Sequence, residues 1–115
     1  MRTLAIDIET YSDRDITKTG AYAYAESPEF SILLIGFKFN DDNDVTVIDL
    51  GGCESVEDAT DYIDLMYPEF LEGIKDPDVL KTAYNANFER TCLSKYWGEM
   101  PPEQWQCTMI LSSVT

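Results

Sequence analysis

Thr3-Leu4-Ala5-Ile6-Asp7-Ile8-Glu9-Thr10-Tyr11 alternates with the period of a β-strand. Leu4, Ile6 and Ile8 point one way and Thr3, Ala5, Asp7 and Glu9 the other. Asp7 and Glu9 therefore share a face, roughly 6.5–7 Å apart at a rise of ~3.3 Å per residue. A strand this apolar belongs near the middle of a sheet, where two adjacent negative charges are costly unless a cation sits between them. A divalent metal is the simplest such cation. The plainer alternative is a strand end whose acids face water.

Working outward, Tyr11 to Glu29 reads as loop, punctuated by Ser12-Asp13, Gly20 and Ser27-Pro28, with Tyr22, Tyr24 and Phe30 as scattered anchors. Ser31 to Asn40 is a second, nearly continuously apolar strand. Asp41-Asp42-Asn43-Asp44 is a hairpin turn, and Val45, Val47 and Leu50 mark a shorter third strand that Gly51-Gly52 ends. The three form an antiparallel meander. The period then changes: Val56, Ala59, Ile63, Met66, Phe70 and Ile74 recur at helical spacing, and Pro68 divides them into two short helices. After the turn Asp76-Pro77-Asp78, Val79 to Tyr84 is a further strand. A helix follows from about Phe88 to Trp97, with Asn85 or Asn87 as cap and Gly98 as stop. Trp105 to Cys107 is a short strand, and Thr108 opens a helix whose Met109, Ile110, Leu111 and Val114 call for a partner surface. A meander followed by β-α-β-α is an α/β arrangement: a mixed sheet with helices on its faces, as in the ribonuclease H-like fold. We expect a single domain over residues 1–115, cut short at its C-terminal end.

Composition narrows the chemistry. The 115 residues contain three cysteines and no histidine. Cys53, Cys92 and Cys107 form no CxxC pair, so no zinc site is expected, and Ser-His or Cys-His catalysis has no base. Carboxylates and metals remain. No apolar run approaches ~20 residues and no leader-like segment opens the chain, so no membrane association and a cytoplasmic location are expected. The net charge is −14. Residues 41–78 hold 13 acids against Lys75 alone, or −12 of that total. This sign opposes nucleic-acid binding by phosphate neutralisation, though not through metals or another domain.

A second motif, Asn85-Ala86-Asn87-Phe88-Glu89-Arg90, sits at a strand–helix junction. If its strand runs parallel to the first, Glu89 on the first helical turn faces Asp7 and Glu9. An all-oxygen site of this kind suits two Mg²⁺ or Mn²⁺ ions. By itself the motif also reads as a capped helix with a first-turn acid that favours the helix dipole.

Asp7-Ile8-Glu9-Thr10 resembles the first motif of the DEDD-type 3′–5′ exonucleases, and Asn85-Ala86-Asn87-Phe88-Glu89 their second. With Tyr22 to Phe30 and Trp105 to Met109, the whole chain is similar to the first half of the exonuclease-like domain of phage-type family A DNA polymerases. The resemblance implies two-metal hydrolysis at a DNA 3′ terminus, with Asp7, Glu9 and Glu89 as catalytic metal ligands and Asp7 bridging both ions. It implies that Thr10, Asn85 and Phe88 lie along the bound strand end. Two departures stand out. The second motif usually ends in Asp, and a carboxylate one methylene longer displaces a ligand by about 1 Å, enough to cost ~10²-fold in rate. The fourth carboxylate, within a Tyr-x-x-x-Asp, would lie beyond Thr115, so weak metal binding and slow or absent cleavage are expected of this chain alone. Another reading is a non-catalytic remnant that self-associates or docks on a replication partner, such as the missing polymerase portion. A third, an acidic mimic of nucleic acid, leaves the Asp7/Glu9 pair unexplained.

Overall fold

The computed structural model describes residues 2–13 and 16–108. The opening alternation produces strand β1 (Arg2–Tyr11), with Leu4, Ile6 and Ile8 buried and Ala5, Asp7 and Glu9 exposed. β2 (Ser31–Phe39) and β3 (Thr46–Asp49) complete the expected antiparallel meander, and β4 (Val79–Ala83) and β5 (Trp105–Cys107) continue the sheet on the other side of β1. The strand order is β3-β2-β1-β4-β5, with β1, β4 and β5 mutually parallel. β1 is thus central, as its apolar side demands.

The crossover from β3 to β4 consists of α2 (Val56–Met66) and α3 (Pro68–Lys75), two helices divided at Pro68 as expected. Ser55 caps α2 by accepting a hydrogen bond from the Asp58 amide at 3.1 Å, and Glu57 and Asp58 complement the helix dipole in its first turn. Pro68 occupies the first turn of α3, where its missing N–H costs nothing. α4 (Ala86–Trp97) follows β4 and ends at Gly98, whose φ of +91° is backbone that glycine adopts without strain. Phe70, Leu71 and Ile74 of α3 and Cys92 and Leu93 of α4 join Leu4, Ile6, Ile8, Ile35 and Phe37 in one buried cluster. Gly73 lets α3 lie close to the sheet: a Cβ there would stand 2.8 Å from Phe39 Cζ. Trp97 Nε1 donates to Thr60 Oγ1 at 2.8 Å, tying α4 to α2.

The opposite side of the sheet is open. Ala5, Asp7, Glu9, Gly36, Lys38, Val47 and Thr82 line a shallow depression of about 410 Å³, with Val45, Val47 and Tyr84 well exposed around it.

Two expectations need correction. The segment expected as loop between Tyr11 and Glu29 contains α1 (Ile16–Glu26), interrupted at Gly20, where φ is +81°. Its alternating Ala-Tyr-Ala-Tyr-Ala lacks helical periodicity, and the helix is held by tertiary contact with α4 and by burial of Ala25. β3 is also shorter than the strand expected through Val45, Val47 and Leu50: it runs Thr46–Asp49, with Ile48 buried and Val47 facing outward. As expected, one of the two asparagines, Asn85, occupies the cap position of α4; its side chain makes no capping hydrogen bond among the described residues, and its carbonyl accepts from the Phe88 and Glu89 amides. The helix expected from Thr108 onward and the anchor at Tyr22 lie outside the described residues and side chains.

Candidate functional site

The parallel pairing of β1 with β4 runs from Arg2↔Val79 to Ala5↔Thr82 and stops there. Asp7 lies beyond the last pair, at the level where β4 has ended and the chain turns into α4. This is why Glu89, in the first turn of α4, approaches Asp7 around the end of β4. The two motifs, separated by about 80 residues, meet because a parallel crossover carries both strands to the same end of the sheet.

Glu89 is the unusual member. It is 6 % exposed, and among the described residues its Oε2 has no hydrogen-bond partner. Its pKa is pushed up to about 7, chiefly by burial and further by the negative charge of Asp7, while a hydrogen bond from its own backbone amide pulls the other way. A buried, partly unsatisfied carboxylate beside a second carboxylate is expensive. Such pairs mark functional sites more often than ordinary surface acids do. Burial, with a further push from the Glu89 charge, raises the neighbouring Cys92 thiol to about 12, so that thiol is inert at neutral pH.

Glu9 stands one strand repeat along from Asp7 on the open face, exposed to water. Among the described residues, no three acidic or thiol side chains gather closely enough to enclose a metal ion. The structure therefore couples Asp7 to Glu89 and leaves Glu9 at the mouth. A positive charge near the Glu89 oxygen that lacks a partner would satisfy it and relieve the repulsion from Asp7.

The chain is similar to the DNA polymerase of Bacillus phage SP02, with 45% identity over 111 residues. The chain is related in origin to a phage DNA polymerase. That similarity takes in 96% of this chain and 15% of the polymerase, so the chain spans about a seventh of that relative's length. No family model matches the chain, and no solved structure matches it.

The remaining expected site residues surround the carboxylates in different ways. β2 shifts register between the partners of Glu9 and Thr10, a bulge of the kind that re-aims side chains beside functional sites. Thr10 points toward the helices, and its Oγ1 lies 3.0 Å from the Tyr24 hydroxyl of α1. Phe88 is half-buried, its ring 5.9 Å from that of Tyr24. Asn85 is exposed at the rim. Sequence reading missed Tyr24 as a member of this neighbourhood, because nothing in a segment taken for loop showed where it would dock. No described helix is long and apolar enough to cross a membrane.

Proposed function

We propose that this chain is the exonuclease-like portion of a phage-type DNA polymerase, acting on DNA 3′ ends by metal-dependent phosphodiester hydrolysis. The observation that carries the reading is the buried carboxylate of Glu89, left without a full set of partners among the described residues and within reach of the Asp7 charge at the end of the sheet. Asp7 and Glu89, with Glu9 at the mouth, would hold Mg²⁺ or Mn²⁺. The bound ion would activate water and neutralise charge on the scissile phosphate. The side chains contribute the rest. Burial keeps the Glu89 carboxyl in place and reluctant to ionise without a cation, so metal occupancy and deprotonation are coupled. Asn85 at the rim and Phe88 in the wall are available to a strand terminus approaching from the open end. Kinship with a phage DNA polymerase supports DNA as the substrate class. The net charge of −14 argues that grip on the phosphate backbone comes through the metal or from residues outside this chain.

The experiment is a thermal melt in Mn²⁺ or Mg²⁺ against a chelator control. For a millimolar-affinity site, 10 mM ion stabilises by about 1.4 kcal/mol, or roughly 5 °C in a domain of this size. Asp7→Ala should abolish that response, which separates the site from diffuse binding to the acidic surface. No difference between the wild type and Asp7→Ala would sink the reading. A second reading, a docking module without catalysis, draws on the open sheet face, where Val45, Val47 and Tyr84 are 61%, 57% and 65% exposed. Light scattering that shows only monomer would count against it.

A further inference from the structure

We infer that Tyr24 is a positioning residue that sets the spacing between the two acidic motifs, an inference that rests on the metal-site reading above. On the α4 side, hydrogen-bonded pairing of β1 ends at Ala5↔Thr82, so no strand ladder there holds Asp7, Glu9 and Thr10 at a set distance from Glu89. Tyr24 spans that gap. Its hydroxyl meets Thr10 Oγ1 at 3.0 Å, one residue past Glu9. Its ring packs on Phe88, one residue before Glu89, with centroids 5.9 Å apart and planes at 52°. Phe30 closes the other side of the ring edge-on, also at 5.9 Å. Ser12 Oγ donates to the Tyr24 carbonyl at 2.8 Å, pinning the backbone of α1 to the end of β1 as well. One side chain thus touches the immediate neighbour of an acid in each motif, through a hydrogen bond on one side and ring packing on the other. Carboxylates that share an ion must be held to a fraction of an ångström, so such a brace acts on ion affinity before it acts on overall folding.

Tyr24→Phe removes the hydroxyl and keeps the ring. Thr10→Val removes the other end of the same bond at nearly constant volume. Each should weaken Asp7-dependent Mn²⁺ binding about tenfold, as loss of an outer support to a metal ligand does. The double variant should be no weaker than either single one, because both delete one interaction. Native-state hydrogen exchange supplies a metal-free readout: amides of residues 7–12 should lose protection in Tyr24→Phe while those of β2 and β3 keep theirs. Unchanged exchange at residues 7–12 would overturn the inference. So would faster exchange with Mn²⁺ affinity equal to that of the wild type. If the wild type itself shows no Asp7-dependent Mn²⁺ binding, the metal-site reading fails first. The positioning role then falls with it, even where the exchange result shows that Tyr24 braces the strand.

Discussion

Glu89→Gln should make this protein more stable at pH 8 and leave it unchanged at pH 4.5. In the folded chain the Glu89 carboxyl holds its proton up to about pH 7, against 4.5 for the unperturbed group. Between those values the unfolded chain has released the proton and the folded chain retains it. Stability therefore falls as pH rises through that window, and the loss is complete above the folded value. A displacement of that size corresponds to about 3 kcal/mol as an upper bound. Water at the Asp7 side of the pair screens the charge, and roughly 1.5–2 kcal/mol is the more realistic cost. Glutamine has nearly the same shape and no charge to desolvate, so the variant should gain that amount at pH 8, roughly 6–8 °C in melting temperature. At pH 4.5 the wild-type group is already neutral and the two proteins should melt together. The assay is paired urea or thermal unfolding from pH 4.5 to 8 in chelator-treated buffer. Comparing variants at each pH cancels the titration of the other 21 acids. Saturating Mn²⁺ should reverse the order, since the ion stabilises wild type and finds an incomplete site in the variant. A difference that does not change with pH, or a variant less stable than wild type at pH 8, would refute the account of Glu89 as a buried, under-satisfied acid.

Substitutions at two further positions test how the helices and strands pack. Gly73→Ala should destabilise by about 1–2 kcal/mol, because overpacking costs ~1–3 and the gain in helix propensity returns at most ~1. The new methyl would lie 2.8 and 2.9 Å from the Phe39 ring and 3.2 Å from Leu4 Cδ2, and a urea midpoint no lower than wild type would show that α3 shifts freely. Lys81 is fully buried, its amine donating to the Asp76 carbonyl at 2.7 Å and to Gln104 Oε1 at 3.3 Å, and burial lowers its pKa. Lys81→Met keeps the volume and removes the desolvated charge, so its unfolding free energy should stay within about 1 kcal/mol of wild type. Lys81→Ala should lose about 2–4 kcal/mol to the cavity it leaves; equal losses in both would mean that the amine's hydrogen bonds, and not the packing of its stem, hold β4.

Much of the architecture was legible because it depends on local regularities. The period-two pattern of Leu4, Ile6 and Ile8 determines which side of β1 is buried, and with it that Asp7 and Glu9 share the other side. The shift to helical spacing at Val56 and the proline at 68 determine two helices and their boundary. Turn residues at 41–44 and 76–78 delimit the strands. Motif position nominated Asp7, Glu9 and Glu89 in a chain without histidine. What depends on distant partners was not legible. α1 has no amphipathic signature of its own and exists by packing on α4, so its sequence read as loop, and Tyr24 was invisible as the brace between the motifs. The burial of Glu89 is likewise a property of the assembled sheet and helices, since no sequence pattern reports that one of its oxygens ends without a partner. Sequence determined which acids are present and on which elements they ride. Only the tertiary structure decided that Glu89 is desolvated within reach of the Asp7 charge while Asp7 and Glu9 stay in water, because desolvation depends on what packs around a group and not on its neighbours along the chain.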